Sequence, residues 1–197
     1  MPDALPADAA PADADRPDPA GARPAPGALP SDRAPLVVGQ AAYRDAMARL
    51  GAAVNIVTSD GPAGRCGFTA SSVCSVTDDP PTLLVCLNRT SANNARFKRN
   101  GVLCVNVLAA RHEALSAAFA GSLAPDARFA EGRWSTLATG APVLDGARVA
   151  FDCRIDQVTE VGTHSVLFCA VEAIRTGDNE EALIYLGRAY HRLATPA

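Results

Sequence analysis

The chain has 197 residues, with 18 Lys and Arg against 21 Asp and Glu and a formal charge of −3, a length that suits one domain with a sizeable core and an appendage. Its body has no run of Lys or Arg that would track a phosphate backbone, which excludes nucleic acid as a partner. No apolar run approaches the roughly 20 residues needed to span a bilayer, and the acidic, Pro-broken start lacks the basic and apolar regions of a secretory signal, so the expected location is the cytoplasm.

Residues 1–36 are mostly Ala, Pro and Asp, with no Val, Ile or aromatic residue. Such a segment buries too little apolar surface to offset its ordering entropy, so a disordered tail is expected there, with the folded domain at residues 37–197. Asp3, Asp8, Asp13, Asp15, Asp18 and Asp32 against Arg16, Arg23 and Arg33 account for the whole formal charge. The body is therefore neutral.

In "YRDAMARLG" the spacing of Tyr43, Met47 and Leu50 predicts one face of a short helix that Gly51 ends. Val54, Ile56 and Thr58 then alternate, residues 60–64 supply turn chemistry, and "GFTASSVCSV" returns as the second strand of a hairpin. The pair Pro80 and Pro81 closes that strand and opens "TLLVCLN". Thr90 or Ser91 can cap a helix over "ANNARFKRN", with Asn100 and Gly101 as its stop. "VLCVNVL" reads as a buried strand and "HEALSAAFAG" as a helix with Leu115 and Phe119 four apart. Residues 122–143 read as an excursion outside the sheet. Val149, Phe151, Cys153 and Ile155 alternate with Asp152, Arg154 and Asp156, "SVLFCAVEAI" pairs back across a turn at Gly162, and "ALIYLG" follows. Strands outnumber helices and short turns join them, which predicts a mainly β fold: an antiparallel sheet closed into a barrel with a few peripheral helices.

Cys86, Cys104, Cys153 and Cys169 sit within apolar runs, where a thiol serves as a small core hydrophobe, and no His stands at zinc-ligand spacing from a Cys, so no metal is expected. "GPAGRCG" lacks the G-x-G-x-x-G order and the helix that a dinucleotide loop requires, and reads as a hairpin turn. The crowd of small hydroxyl side chains from Thr69 onward is different. Small side chains admit a flat ligand, and Ser and Thr hydroxyls can bond a phosphate or a polar ring edge. "CLNRTS" adds Asn88, Arg89, Thr90 and Ser91 at a strand end that feeds a helix N-terminus, where anions are favoured. The two segments suit a cradle for a planar, phosphorylated cofactor, and equally an ordinary strand, turn and cap. His164 is a turn residue or a ligand contact, His191 beside Tyr190 a terminal packing contact, and Trp134 a core anchor of the excursion. No nucleophile–base pair is evident.

In order, "RDAM", "GAAVNIVTSDGPAGRCGFTASSVCSVTDDPPTLLVCLNR", "LCVN", "RFAEGRW", "FDCRI", "VGTHSVLFCAVEAI" and "YHRL" run from Arg44 to Leu193. This sequence resembles the flavin reductase family of FMN-binding split β-barrels, most strongly its members from the bacterial pyrimidine-utilisation (Rut) pathway. The resemblance implies NADH-dependent reduction of FMN and release of the reduced flavin to a partner flavin-dependent monooxygenase that opens the uracil ring. It implies a homodimer, FMN contacts at Thr69, Ala70, Ser71, Ser72, Cys86, Leu87, Asn88, Arg89 and Ser91, and a place near flavin and nicotinamide for His164, Tyr190 and His191. Hydride passes between the cofactors, so no catalytic side chain is required. The competing readings are a non-catalytic flavin carrier or sensor on the same barrel, and an oxidase of the pyridoxamine-phosphate type, which needs a more basic phosphate site than Arg89 alone.

Overall fold

The computed structural model describes residues 38–194 apart from Ser122 and Asn179; the tail expected at residues 1–36 lies outside the described residues. The first helix, α1 (Gln40–Met47), stops short of Leu50 because turn bonds replace the helical ladder, from Arg49 N to Ala46 O and from Leu50 N to Met47 O. Tyr43, Met47 and Leu50 are exposed in the single chain, where their spacing predicts an inward face. What ties α1 to the body is polar: an Arg188–Asp45 ion pair and a bond from Gly187 N to Ala48 O at 2.7 Å.

Strands β1 (Ala52–Ala53), β2 (Asn55–Ser59) and β3 (Cys66–Ala70) follow, and β2 with β3 makes the predicted hairpin. The alternation expected for β2 is absent, since all five of its residues are buried. Val57 packs into the barrel core, while Ile56 joins a second cluster with Phe119 on the opposite face. The single returning strand that the sequence suggests is in fact two: Ser71 and Ser72 interrupt it, and β4 (Val73–Asp78) crosses away to pair with β5 (Pro81–Asn88).

Helix α2 (Ala92–Asn100) begins where Ser91 Oγ accepts a bond from Asn93 N and ends at Gly101, whose φ of +71° favours glycine. Strand β6 (Val102–Val107) leads through a short 3-10 turn into α3 (Glu113–Ala120), which buries Leu115 and Phe119. The excursion holds α4 (Pro125–Ala130) and a paired β7 (Trp134–Ser135) and β8 (Val143–Leu144). Trp134 is a core anchor there, packed on Phe119 and Phe129 with its Nε1 donating to Phe129 O at 2.9 Å. Buried polar groups fasten this irregular segment to the sheet. Asn106 donates to Ile56 O at 3.1 Å and accepts from Leu144 N at 2.7 Å, and the buried Asp152 carboxylate accepts from Thr139 N at 2.7 Å. Such groups are tolerated inside because each is bonded.

Strands β9 (Val149–Val161) and β10 (His164–Thr176) form the long hairpin turned at Gly162. After β11 (Ala182–Leu186) comes a strand the sequence pattern does not predict, β12 (Ala189–Leu193). Its signal is the two-residue turn Gly187–Arg188, both at positive φ, 60° and 64°, the backbone that a tight hairpin demands.

The main sheet is antiparallel with seven strands in the order β3-β2-β6-β9-β10-β5-β4. It wraps around Val57, Val85, Leu103, Val105, Cys153, Leu167 and Cys169. The closure predicted from pattern is incomplete: β3 and β4, neighbours in the chain, are the two unpaired edges of the sheet, and the barrel is split between them. Helix α2 covers the interior beside this opening, with Phe97 fully buried edge-to-face on Phe68 and Asn93 Nδ2 donating to Gly67 O at 3.2 Å. Among the described residues all six cysteines are free thiols, and burial pushes Cys66 up to about 11 and Cys169 up to about 12, the behaviour of packing groups rather than nucleophiles. No helix among the described residues is long and apolar enough to cross a membrane.

Candidate functional site

The site forms where the chain steps from one edge of the split sheet to the other. Thr69, Ala70 and Ser71 line a recess of about 220 Å³ together with Val54, Ala120, Tyr185 and Tyr190. Ala70, Ser71 and Ala120 leave it open because none carries a bulky side chain. Its polar walls are set from behind. Thr69 Oγ1 donates to Ser116 O at 2.6 Å, and the Ser116 and Tyr190 hydroxyls bond each other at 2.9 Å. Tyr185 and Tyr190, opposite each other on β11 and β12, meet edge-to-face at 5.6 Å.

A second recess of about 440 Å³ shares Ser71 and Tyr185 with the first and adds Ser72, Arg44, Met47 and Arg188. Taken together the two fall within the range of ordinary small-molecule sites, roughly 300–1,000 Å³. Ser71 lines both recesses, and among the described residues its hydroxyl makes no hydrogen bond. It is available to a ligand. A larger recess of about 700 Å³ lies elsewhere, beside Arg111, Leu115, Glu131 and Arg133, and none of the sequence-predicted site residues lines it.

The two predicted segments are joined directly. Ser72 Oγ donates to Cys86 O, and Cys86 N donates to Ser72 O, both at 3.1 Å. Burial, and then the neighbouring Cys74, raises the Cys86 thiol, which disfavours the nucleophilic thiolate, and Cys86 lines neither recess. The Leu87 side chain belongs to the barrel core, which leaves only its backbone to any ligand. Beyond it, Asn88 Oδ1 accepts from Thr90 N and Thr90 Oγ1, each at 2.9 Å, and shapes a tight corner. Arg89 Nε pairs with Glu160 at 3.1 Å while its Nη1 donates to Gly162 O at 3.2 Å. Ser91 caps α2.

The three remaining predicted residues do not gather at one point. Tyr190 lines the first recess. His191, next to it on a strand, takes the opposite face, and its Nε2 bonds Leu186 O at 3.0 Å. His164 stands across from Asn88 in the β5–β10 register, bonded through Nδ1 to Thr163 Oγ1 at 2.9 Å, and lines neither recess. The sequence reading missed Ser116, Ala120, Tyr185 and Glu160. For Ser116 a signal existed, a hydroxyl on the helix face between Leu115 and Phe119, and for Tyr185 the hairpin that faces it with Tyr190. Ala120 and Glu160 carry no local signal.

Known proteins resemble this chain over most of its length. A model described as the flavin reductase like domain matches residues 47–194. A protein of Variovorax paradoxus (strain S110) named FMN reductase (NADH) RutF is 62% identical over 163 residues, which are 83% of this chain and 91% of that protein. A solved structure from Haemophilus somnus 129pt, described as a candidate flavin reductase, is 46% identical with a TM-score of 0.77 over 79% of this chain and 100% of that one. A homolog of nitrilotriacetate monooxygenase component B from Mycobacterium thermoresistibile is 28% identical with a TM-score of 0.73, over 80% of this chain and 90% of that one.

Proposed function

The chain belongs to the flavin reductase family as an oxidoreductase working with FMN and NADH, and on that premise we propose that it releases reduced FMN to a flavin-dependent monooxygenase of pyrimidine catabolism. The likeness to a homolog of a monooxygenase component from Mycobacterium supports a two-component arrangement, and the name RutF of the Variovorax relative supports the pathway. The observation that carries the reading is the Ser71–Ser72 break: it leaves a recess floored by Thr69, Ala70 and Ser71 and walled by Tyr185 and Tyr190, and the Ser71 hydroxyl is unbonded among the described residues.

The residues present fit a flat, phosphorylated ring. Thr69, Ala70, Ser71 and Ser72 would hold the ring and its polar edge, with the backbone of Cys86 and Leu87 beside them. Asn88, Arg89 and Ser91 would hold the phosphate end. When bound, the two cofactors supply the hydride donor and acceptor themselves. The chain's part is to orient: Tyr190 and Ser116 hold Thr69 in place, Tyr185 walls both recesses, and Ala120 keeps the first of them clear. His164 and His191 remain in this proposal as neighbours of the nicotinamide. A homodimer belongs to it too, supported by the exposed Tyr43, Met47 and Leu50 on and after α1.

The test is anaerobic turnover of the purified chain with NADH or NADPH and each of FMN, FAD and riboflavin, read as bleaching of flavin absorbance. Steady bleaching with NADH and FMN is expected, and in a separate aerobic reaction, with O2 as oxidant, supply of the reduced product to a uracil-oxidising monooxygenase should yield ring-opened uracil. A flavin that stays bound through gel filtration without steady NADH oxidation would mean a carrier.

A further inference from the structure

We infer that Glu160 is the positioning residue for phosphate recognition, acting through Arg89 and anchored to the core by Ser165 and Asn94. The inference rests on the FMN reading of the Asn88–Ser91 corner and goes beyond it, since nothing in the resemblance assigns Glu160, Ser165 or Asn94 a part.

Asn94 is buried on α2, and its Nδ2 donates to Ser165 Oγ at 2.9 Å and to Leu87 O at 3.3 Å. Ser165, fully buried on β10, donates its hydroxyl in turn to Glu160 Oε2 in a 2.9 Å hydrogen bond. Lys98 Nζ takes the other carboxylate oxygen, Oε1, at 2.6 Å. Both carboxylate oxygens are therefore held by residues that α2 and β10 fix in place. The bond from Lys98 and then that from Ser165 hold the carboxyl below its ordinary value, so it stays charged.

The Arg89 guanidinium meets this fixed charge through Nε, meets Gly162 O through Nη1, and has its backbone N bonded to Thr163 O at 2.9 Å. Its Nη2 makes no bond among the described residues. Two of the three guanidinium nitrogens are anchored and the third is left for a ligand, on the residue that follows Asn88 and stands two before the Ser91 cap of α2. A planar guanidinium held in this way loses little further freedom when it pairs with a phosphate. The long Arg side chain is otherwise half exposed, 53%, and an unanchored one would have to be ordered by the ligand at the ligand's expense.

Charge alone argues the other way, which makes the experiment decisive. Glu160 neutralises Arg89, so removing its charge should tighten binding of an anion if Coulomb attraction dominates, and weaken it if orientation dominates. In steady-state turnover with saturating NADH, Glu160→Gln is expected to raise the KM for FMN roughly fivefold, the scale of an exposed, well-oriented ion pair. The KM for riboflavin, which lacks the phosphate, and kcat with either flavin should stay within about twofold, by the rule that loss of uniform binding moves KM alone. In an Arg89→Ala background, which itself raises the KM for FMN, Glu160→Gln should add nothing, because its effect passes through Arg89. Riboflavin turnover reports that each variant is folded. A lower KM for FMN in Glu160→Gln, an equal rise for riboflavin, or an additive effect in the double variant overturns the role of Glu160 while leaving the reductase reading intact. An Arg89→Ala chain with an unchanged KM for FMN overturns it as well and removes the corner from the FMN site.

Discussion

The recess at Thr69–Ser71 and the corner at Asn88–Ser91 touch through Ser72 and Cys86, yet they are held by different forces. Around the recess the bonds are neutral and backed by packed aromatic rings: Thr69 on Ser116, Ser116 on Tyr190, with Phe119 behind them among Phe129 and Trp134. At the corner the holding groups are charged and wet, Arg89 and Glu160 being 53% and 40% exposed. A flat ring demands a shape that does not move, which dense packing supplies. A phosphate demands aligned charge, which works in water but weakens with salt.

Filling the recess is the hardest test of this contrast. Ser71→Trp puts bulk where both recesses meet, and flavin turnover should fall at least about a hundredfold, since displacement of a reactant by an ångström alone can cost that much. Circular dichroism should show the fold unchanged, because Ser71 is exposed. Near-normal turnover would place the flavin elsewhere.

The next effect tests whether the recess depends on its packed backing. A methyl group at Gly67 would stand 2.8 Å from Phe119 Cε1 and 3.1 Å from Val57 O, and Phe119 is confined by Phe129 and Trp134. Gly67→Ala should therefore shift α3, cost about 1–3 kcal/mol, and lower the melting temperature. Because α3 carries Ser116, flavin affinity should fall with it. Lost stability with unchanged affinity would uncouple the recess from α3.

The smallest effect separates the regions by pH. His112, at the start of α3, accepts from Ala109 N at 3.2 Å through Nδ1. Burial, and then Arg111, depresses it from 6.5 to about 4. Between those values the unfolded chain binds more protons than the folded one, so stability declines as pH falls from about 6.5 to about 4. Glu160 also has a lowered value, and its contribution is present above 4.5 and lost only as pH falls through its folded value. Melting temperatures across pH 7 to pH 4 should then decline first through the support of α3, and His112→Asn should flatten that part of the curve.

Much of this was legible in residue types. The Thr69–Ser72 and Asn88–Ser91 segments are conspicuous because small hydroxyls and an Asn-Arg corner are unusual in strand sequence, and Ser91 and Gly101 mark α2 by capping chemistry that operates within a few residues. The strand break at Ser71–Ser72 was not legible, because Val73 and Val76 continue the strand pattern across it. Nor was the exposure of Tyr43, Met47 and Leu50, whose spacing states a face without stating what covers it. The family resemblance implies one vicinity for His164 and Tyr190, and within the single chain His164 lies in the β5–β10 pairing and Tyr190 in the β11–β12 hairpin.

By itself the sequence determined the antiparallel β class, the hairpins, the helix caps and the two segments of the candidate site, because turns, caps and alternation are decided by neighbours within a few positions. Only the tertiary structure decided that β3 and β4 become opposite edges of one sheet, that Ser116 reaches Thr69 and Tyr190, and that Glu160 meets Arg89. Those pairings join residues tens of positions apart, and they follow from how the sheet wraps around its buried core, which no short window of the chain contains.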